Sequence, residues 1–197
     1  MPLESIYEVF DQQKTDLLLH LLETSPDAGG VVVYVKTKEN LHAVTTALSH
    51  AGVIAESIHA GKKPELRERA ITEFGEGKVN VLTMSESIAR GLEISGIRLV
   101  VNYDIPELEA DYAIRLGGIQ ASNGEMITMS TPKKALLLEK INRISGTEVQ
   151  LKIAEGFIYA TRLEKPGTGQ KGKSKSKHSK PLQNKKPKLR KGAKGGK

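Results

Sequence analysis

The stretch GTGQKGKS, Gly167 to Ser174, carries the residue types of a phosphate cradle. Glycines let backbone N–H groups close around a phosphate, a lysine adds charge, and the final hydroxyl can hold a magnesium ion. That chemistry needs a strand before the loop, a helix behind it and an acidic strand downstream. Here Pro166 precedes the stretch, and KSKHSKP follows it, a run that will not hold a helix. In a segment built from Gly, Lys and Ser the pattern arises from composition, so it reads as part of a solvated basic tail.

The charge distribution supports that reading. The 197 residues hold 30 Lys+Arg and 23 Asp+Glu, a formal balance of +7. From Leu163 to Lys197 there are 13 basic residues and one acid, Glu164, or +12, which leaves 17 − 22 = −5 for the rest. The tail lysines Lys171, Lys173, Lys175, Lys177, Lys185, Lys186 and Lys188, with Arg190, are candidates for nonspecific attraction to nucleic-acid phosphates. Such attraction is salt-sensitive, and the absence of tail aromatics leaves no platform for stacking bases. A solubility extension is the plainer reading of the same residues, and KKPKLRK also has the composition of a nuclear-localisation cluster. Cysteine is absent, no signal peptide opens the chain, and no apolar run reaches the roughly 18 residues that argue for a membrane span. A cytoplasmic protein with no metal site is expected.

The body before the tail must position any further chemistry. VVVYV (Val31 to Val35), VIAESI (Val53 to Ile58), VNVLTM (Val79 to Met84), IRLVVNY (Ile97 to Tyr103) and EMITMS (Glu125 to Ser130) read as five strands. Helical patterns lie between them. Leu17, Leu18, Leu21 and Leu22 form one, entered through a lead-in from Ile6. Leu41, Val44, Leu48 and Ala51 form another, with Thr37 placed to cap it. PELRERAITEFG opens on a proline at the first helical position, LEADYAIRL reads as a short helix, and TPKKALLLEKINRIS enters at Thr-Pro. Alternating strands and helices predict a three-layer α/β domain around a mostly parallel sheet. The expected organisation is a lead-in and first helix over 1–30, the domain proper over 31–146, an extension over 147–164 and a disordered tail over 165–197. VQLKIAEGFIYATRL could add a short strand against the body.

In such sheets function sits at the carboxyl ends of the strands. The candidates there are Thr37 and Lys38 in VKTK, Lys62, Lys63 and Arg67 in and after HAGKK, and Ser85, Arg90 and Gly91 in SESIARGLE, with YDIPE and RLGGIQASNG as further loops. Each has two readings. Thr37 is a helix cap, a phosphate contact, or both. The lysines add charge for a phosphate backbone or face solvent. Ser85 and Arg90 hold a phosphate, or Arg90 is tied to Glu86, Asp104 or Glu93. His59 reads as a packing residue, since no Cys, Ser or acid stands beside it to make it a catalyst.

VLTMSESIARGLEISGIRLVVNYDIPELEADYAIRLGG resembles the second RecA-like domain of DEAD-box RNA helicases. That family carries T-D-x-x-A-R-G-[LI]-D, then V-I-N-Y-D-x-P, then D-Y-x-H-R-x-G-R-x-G-R. VVVYVKTK and IHAGKKPELRERAITEF resemble the strand and the I-H-G-D-x-x-Q-x-x-R segment that precede them. The resemblance spans about Ile6 to Gly146, and GFIYATRL is similar to the segment that ends bacterial members with basic tails. It implies a RecA-like fold, RNA contacts at Thr37, Lys38, Arg67, Ser85, Arg90 and Gly91, and a vestigial nucleotide contact at Glu93 and Arg115.

The departures carry as much chemistry as the matches. Ser85 and Glu86 stand for Thr and Asp, Glu93 for the Asp that touches ribose, Pro64 for the Gln, and Ile114 for His. Gly118 and Ala121 occupy the positions of two arginines that the family aims at the γ-phosphate. An arginine there contributes about 10³–10⁵ in rate, and neither glycine nor alanine supplies a cation. The resemblance also implies a separate first domain with the true P-loop, so ATP and Mg would bind only where a partner supplies that domain. The expected function is a catalytically degenerate, RNA-binding accessory module, with single-stranded or ribosomal RNA as partner and a helicase or P-loop domain as a second one. The alternative is the C-terminal half of a split ATP-dependent helicase.

Overall fold

The structure, a computed structural model, describes residues 3–160 apart from 26–28, 91, 133–134 and 147. Within these residues the strands are β1 (Leu3–Glu8), β2 (Val31–Val35), β3 (Ala55–Ile58), β4 (Val81–Ser85), β5 (Leu99–Asn102), β6 (Glu125–Ser130) and β7 (Gln150–Lys152). The helices are α1 (Lys14–Thr24), α2 (Lys38–His50), α3 (Pro64–Gly75), the single turn α4 (Glu86–Ala89), α5 (Glu109–Ser122) and α6 (Ala135–Ser145). The sheet order is β3-β4-β2-β5-β6-β1-β7, and every pairing is parallel.

The β-branched run of β2 lies at the centre, with all five residues buried. Alternation divides them between two cores. Val31, Val33 and Val35 join Leu17, Leu18, Leu41, Val44 and Leu48 on the face covered by α1 and α2. Val32 and Tyr34 join Phe74, Tyr112, Leu116, Ile119 and Ile141 on the face covered by α3, α5 and α6. Gly30 turns the chain into β2 with φ +77°, and a Cβ there would stand 2.2 Å from the Gly96 carbonyl oxygen. Only glycine fits that approach.

Three elements differ from the sequence reading. Residues 3–8 are not a lead-in but a strand between β6 and β7. Their alternation is concealed because Ile6 faces one core while Tyr7 faces the other. The loop expected at RLGGIQASNG does not exist: α5 continues through Gly117 and Gly118 to Ser122 and ends at Asn123, whose left-handed backbone caps it. Glycine costs about 1 kcal/mol per position in a helix, but buried Tyr112, Leu116 and Ile119 hold this one onto the sheet. Third, ESIA, directly after β4, forms the helical turn α4. No described helix is long and apolar enough to cross a membrane.

Candidate nucleic-acid interface

Two groups of side chains lie at the carboxyl edge of the sheet. The first is built on α5. Asp111 and Arg115, four residues apart, share one face of that helix and point toward the ends of β4, β2 and β5. Arg115 is buried; its Nη1 donates to Asn102 Oδ1 at 2.7 Å and its Nη2 to Glu86 Oε1 at 3.2 Å. Its guanidinium lies 3.8 Å from the centre of the Tyr34 ring. One arginine thus joins the ends of three central strands. Burial lowers its pKa, and Tyr34 and Glu86 act against that.

Arg90, just after α4, makes a bidentate pair with Asp111, Nε to Oδ1 at 2.9 Å and Nη2 to Oδ2 at 2.7 Å. The hydrogen bonds from Arg90 hold the Asp111 carboxyl below the usual carboxylate range, against the effect of its burial. The partner of Arg90 is therefore none of Glu86, Asp104 or Glu93. Tyr34, Glu86, Arg90, Asp111 and Ile114 line a shallow cleft of about 170 Å³. Its two guanidiniums and two carboxylates satisfy one another, so it offers an incoming anion little free charge.

From Ala113 onward the outer face of α5 carries no charge. Ala113, Ile114, Gly117, Gly118, Gln120 and Ala121 are all exposed, Ile114 at 68%. Gly118 and Ala121 follow Ile114 by one and two helical turns, so the two positions where the resemblance implies arginines point into solvent on one stripe.

The second group gathers where α2 begins and β3 passes into α3. Thr37 caps α2, accepting from the Asn40 N–H at 3.2 Å. Lys38 is exposed in the first turn, and Lys63 is exposed at the entry to α3. Arg67 stands within α3, half-buried. Lys62 differs from its neighbours: it folds back to pair with Glu56 and donates to the Ser57 carbonyl at 2.9 Å. Its charge is already matched. His42 and His59 meet edge to face, 5.2 Å between ring centres, beside Lys38.

Of the remaining candidates, Ser85 ends β4 with its hydroxyl 3.4 Å from that of Ser87, and Glu93 is exposed before β5. Gly91 and all the tail residues, from Lys171 to Arg190, lie outside the described residues, as does GTGQKGKS. The sequence reading missed Tyr34, Asn102, Asp111 and His42. Spacing offered two signals, the four-residue steps from Asp111 to Arg115 and from Lys38 to His42. Tyr34 and Asn102 gave none, because they meet Arg115 only through the strand order. Lys36 was also missed; its N–H donates to Asp104 Oδ2 at 3.0 Å and its side chain pairs with Glu107.

A model of the helicase conserved C-terminal domain matches residues 13–118. The chain belongs to this family. Its sequence relatives place this helicase C-terminal domain among the DEAD-box proteins. The CshA RNA helicase of Bacillus subtilis is 34% identical over 139 residues, 69% of this chain and 28% of the relative. The p62 helicase of Drosophila melanogaster is 29% identical over 144 residues, 71% of this chain and 20% of the relative. The matched stretch spans 20% to 33% of the length of the first curated relatives. Among solved structures, the Escherichia coli DEAD-box protein SrmB, bound to the regulator of ribonuclease activity A, superposes with a TM-score of 0.73 at 27% identity, over 84% of this chain and 98% of that one. The C-terminal domain of Dbp5 gives 0.67 at 26% identity, over 77% and 87%. The fold is RecA-like, as the resemblance implied.

Proposed function

We propose that this chain is an RNA-binding accessory module: a helicase C-terminal domain that has lost its γ-phosphate chemistry, is not competent by itself to hydrolyse ATP or unwind a duplex, and keeps a phosphate-binding edge. The observation that carries this reading is the outer face of α5, uncharged from Ala113 onward. Phosphoryl transfer is driven by positioning and by cations on the developing charge. Gly118 and Ala121 supply none. Arg115 is buried in pairings of its own, and Arg90 is held by Asp111. Lys38, Lys63 and Arg67 remain for RNA phosphates, with the tail lysines as the larger electrostatic contribution. SrmB has been solved with a regulator of ribonuclease activity, and the Dbp5 C-terminal domain with Gle1, so domains of this kind also take protein partners.

The test is fluorescence anisotropy with a labelled single-stranded RNA across a salt series. The full chain is compared with one whose tail lysines are changed to glutamine. For every RNA phosphate that the altered tail no longer neutralises, the log–log salt slope should flatten by about 0.7. An unchanged affinity at low salt would overturn the tail's role. A second reading is favoured by the relatives' length: the chain is one part of an ATP-dependent RNA helicase and works with a separate P-loop domain that binds ATP and Mg. Mixing it with such a domain, as it stands and as the Gly118→Arg, Ala121→Arg variant, decides this. RNA-stimulated turnover in either mixture would favour the second reading.

A further inference from the structure

The basic corner between α2 and α3 contains a feature that phosphate attraction alone does not explain. His59 Nδ1 is buried and, among the described residues, has no hydrogen-bond partner. The ring is packed against that of His42. The titratable groups acting on it are Lys38 and His42 from α2, Lys62 from the loop and Arg67 from α3, all of them basic. Glu56, the nearby carboxylate, is taken up by Lys62. The position that a Cβ on Gly61 would occupy lies 3.3 Å from His59 Nδ1 and 3.7 Å from Lys38 Nζ. The absent side chain leaves imidazole and ammonium converging on one point of the loop.

An imidazolium needs acceptors for both of its N–H groups. In the free protein Nδ1 has none and the neighbouring groups are basic, which disfavours the imidazolium. An anion laid across Lys38, Gly61 and Arg67 reverses both conditions, bringing negative charge and acceptor oxygens. We propose that the His42–His59 pair makes this corner a proton-linked phosphate site: a nucleic-acid phosphodiester binds here together with a proton, so that acidification tightens RNA binding. The proposal rests on the RNA-binding reading above and adds its regulation.

The sign follows from linkage. Burial, then His42, Lys38, Lys62 and Arg67, lower the His59 pKa in the free protein. Bound phosphate raises it. The added affinity is complete below the free value and is lost as pH rises through the bound value. Phosphodiesters and the tail lysines do not titrate in this window. His178 in the tail is another imidazole, and it supplies the rival explanation.

Anisotropy with labelled single-stranded RNA, at fixed ionic strength between about pH 5.5 and 8.5, tests this on the full chain. Affinity should rise about tenfold for each unit by which phosphate shifts the imidazole. The His59→Gln chain should lose the dependence, and the His178→Gln chain should keep it. Binding that is independent of pH, or a dependence abolished by His178→Gln, overturns the proposal while leaving RNA binding intact. No binding at any pH removes both. The ring protons of His59 in the unaltered chain give a second readout free of folding effects. Their titration should move up when RNA is added, and no movement overturns the proposal.

Discussion

The two corners of the sheet edge use basic residues in opposite ways. Around α5, Arg90 and Arg115 are held by Asp111, Glu86 and Asn102, and Arg115 is stacked on Tyr34. Around the start of α3, Lys38 and Lys63 are exposed, while Lys62 is tied down by Glu56. The first corner commits the hydrogen bonds of Arg90 and Arg115 to the fold. The second leaves Lys38 and Lys63 exposed, with charge to offer. A retained motif residue is therefore no measure of a retained function; its partners decide what it can still do.

Substitutions can break that comparison, beginning with the largest expected effect. Arg115→Ala leaves Glu86 and buried Asn102 without their donor. Removing one partner of a buried pair typically costs about 3–5 kcal/mol. Urea unfolding should show a loss near the lower figure, since Glu86 retains some exposure to water. A loss under about 1 kcal/mol would mean that Arg115 is not structural.

Asp111→Asn comes next. Arg90 is half exposed, so water screens the pair, and about 1 kcal/mol is expected. The pH dependence has a definite sign. The folded carboxyl titrates below its unfolded value, so its contribution is present above about pH 4 and disappears as pH falls through the depressed folded value. The stability difference between the parent chain and the variant should shrink on acidification. The same variant frees Arg90, and RNA affinity should rise; an unchanged affinity would show that this corner lies off the RNA path.

Thr37→Ala removes the α2 cap and should cost up to about 1 kcal/mol in thermal unfolding. The smallest effect on stability is expected at Lys38→Gln, within about 0.5 kcal/mol. That variant should nevertheless flatten the RNA salt slope by about 0.7. A flatter slope with intact stability would sharpen the contrast with Arg115. A stability loss without a change in slope would erase it.

The alternating architecture could be read from local pattern because its signals are local. The runs VVVYV and EMITMS are strands with the bounds that their composition suggested, and Pro64 opens α3. Residues 3–8 gave no such signal, since a strand buried on both faces need not alternate in polarity. Gly117 and Gly118 signalled a loop, and packing of α5 against the sheet overrode them.

What the sequence by itself determined is the set of groups available: a β/α alternation, a basic tail, a kept Arg90 and Arg115, and no arginine at positions 118 and 121. Tertiary structure alone decided which groups meet. Arg115 reaches Glu86, Tyr34 and Asn102 because β4, β2 and β5 are neighbours in the sheet, an order absent from local periodicity. His42 reaches His59 because α2 returns the chain to β3 across the sheet edge. Charge becomes available or internally satisfied through such long-range pairings, since the free energy of an ionic group depends on its surroundings within a few ångströms rather than on its neighbours along the chain.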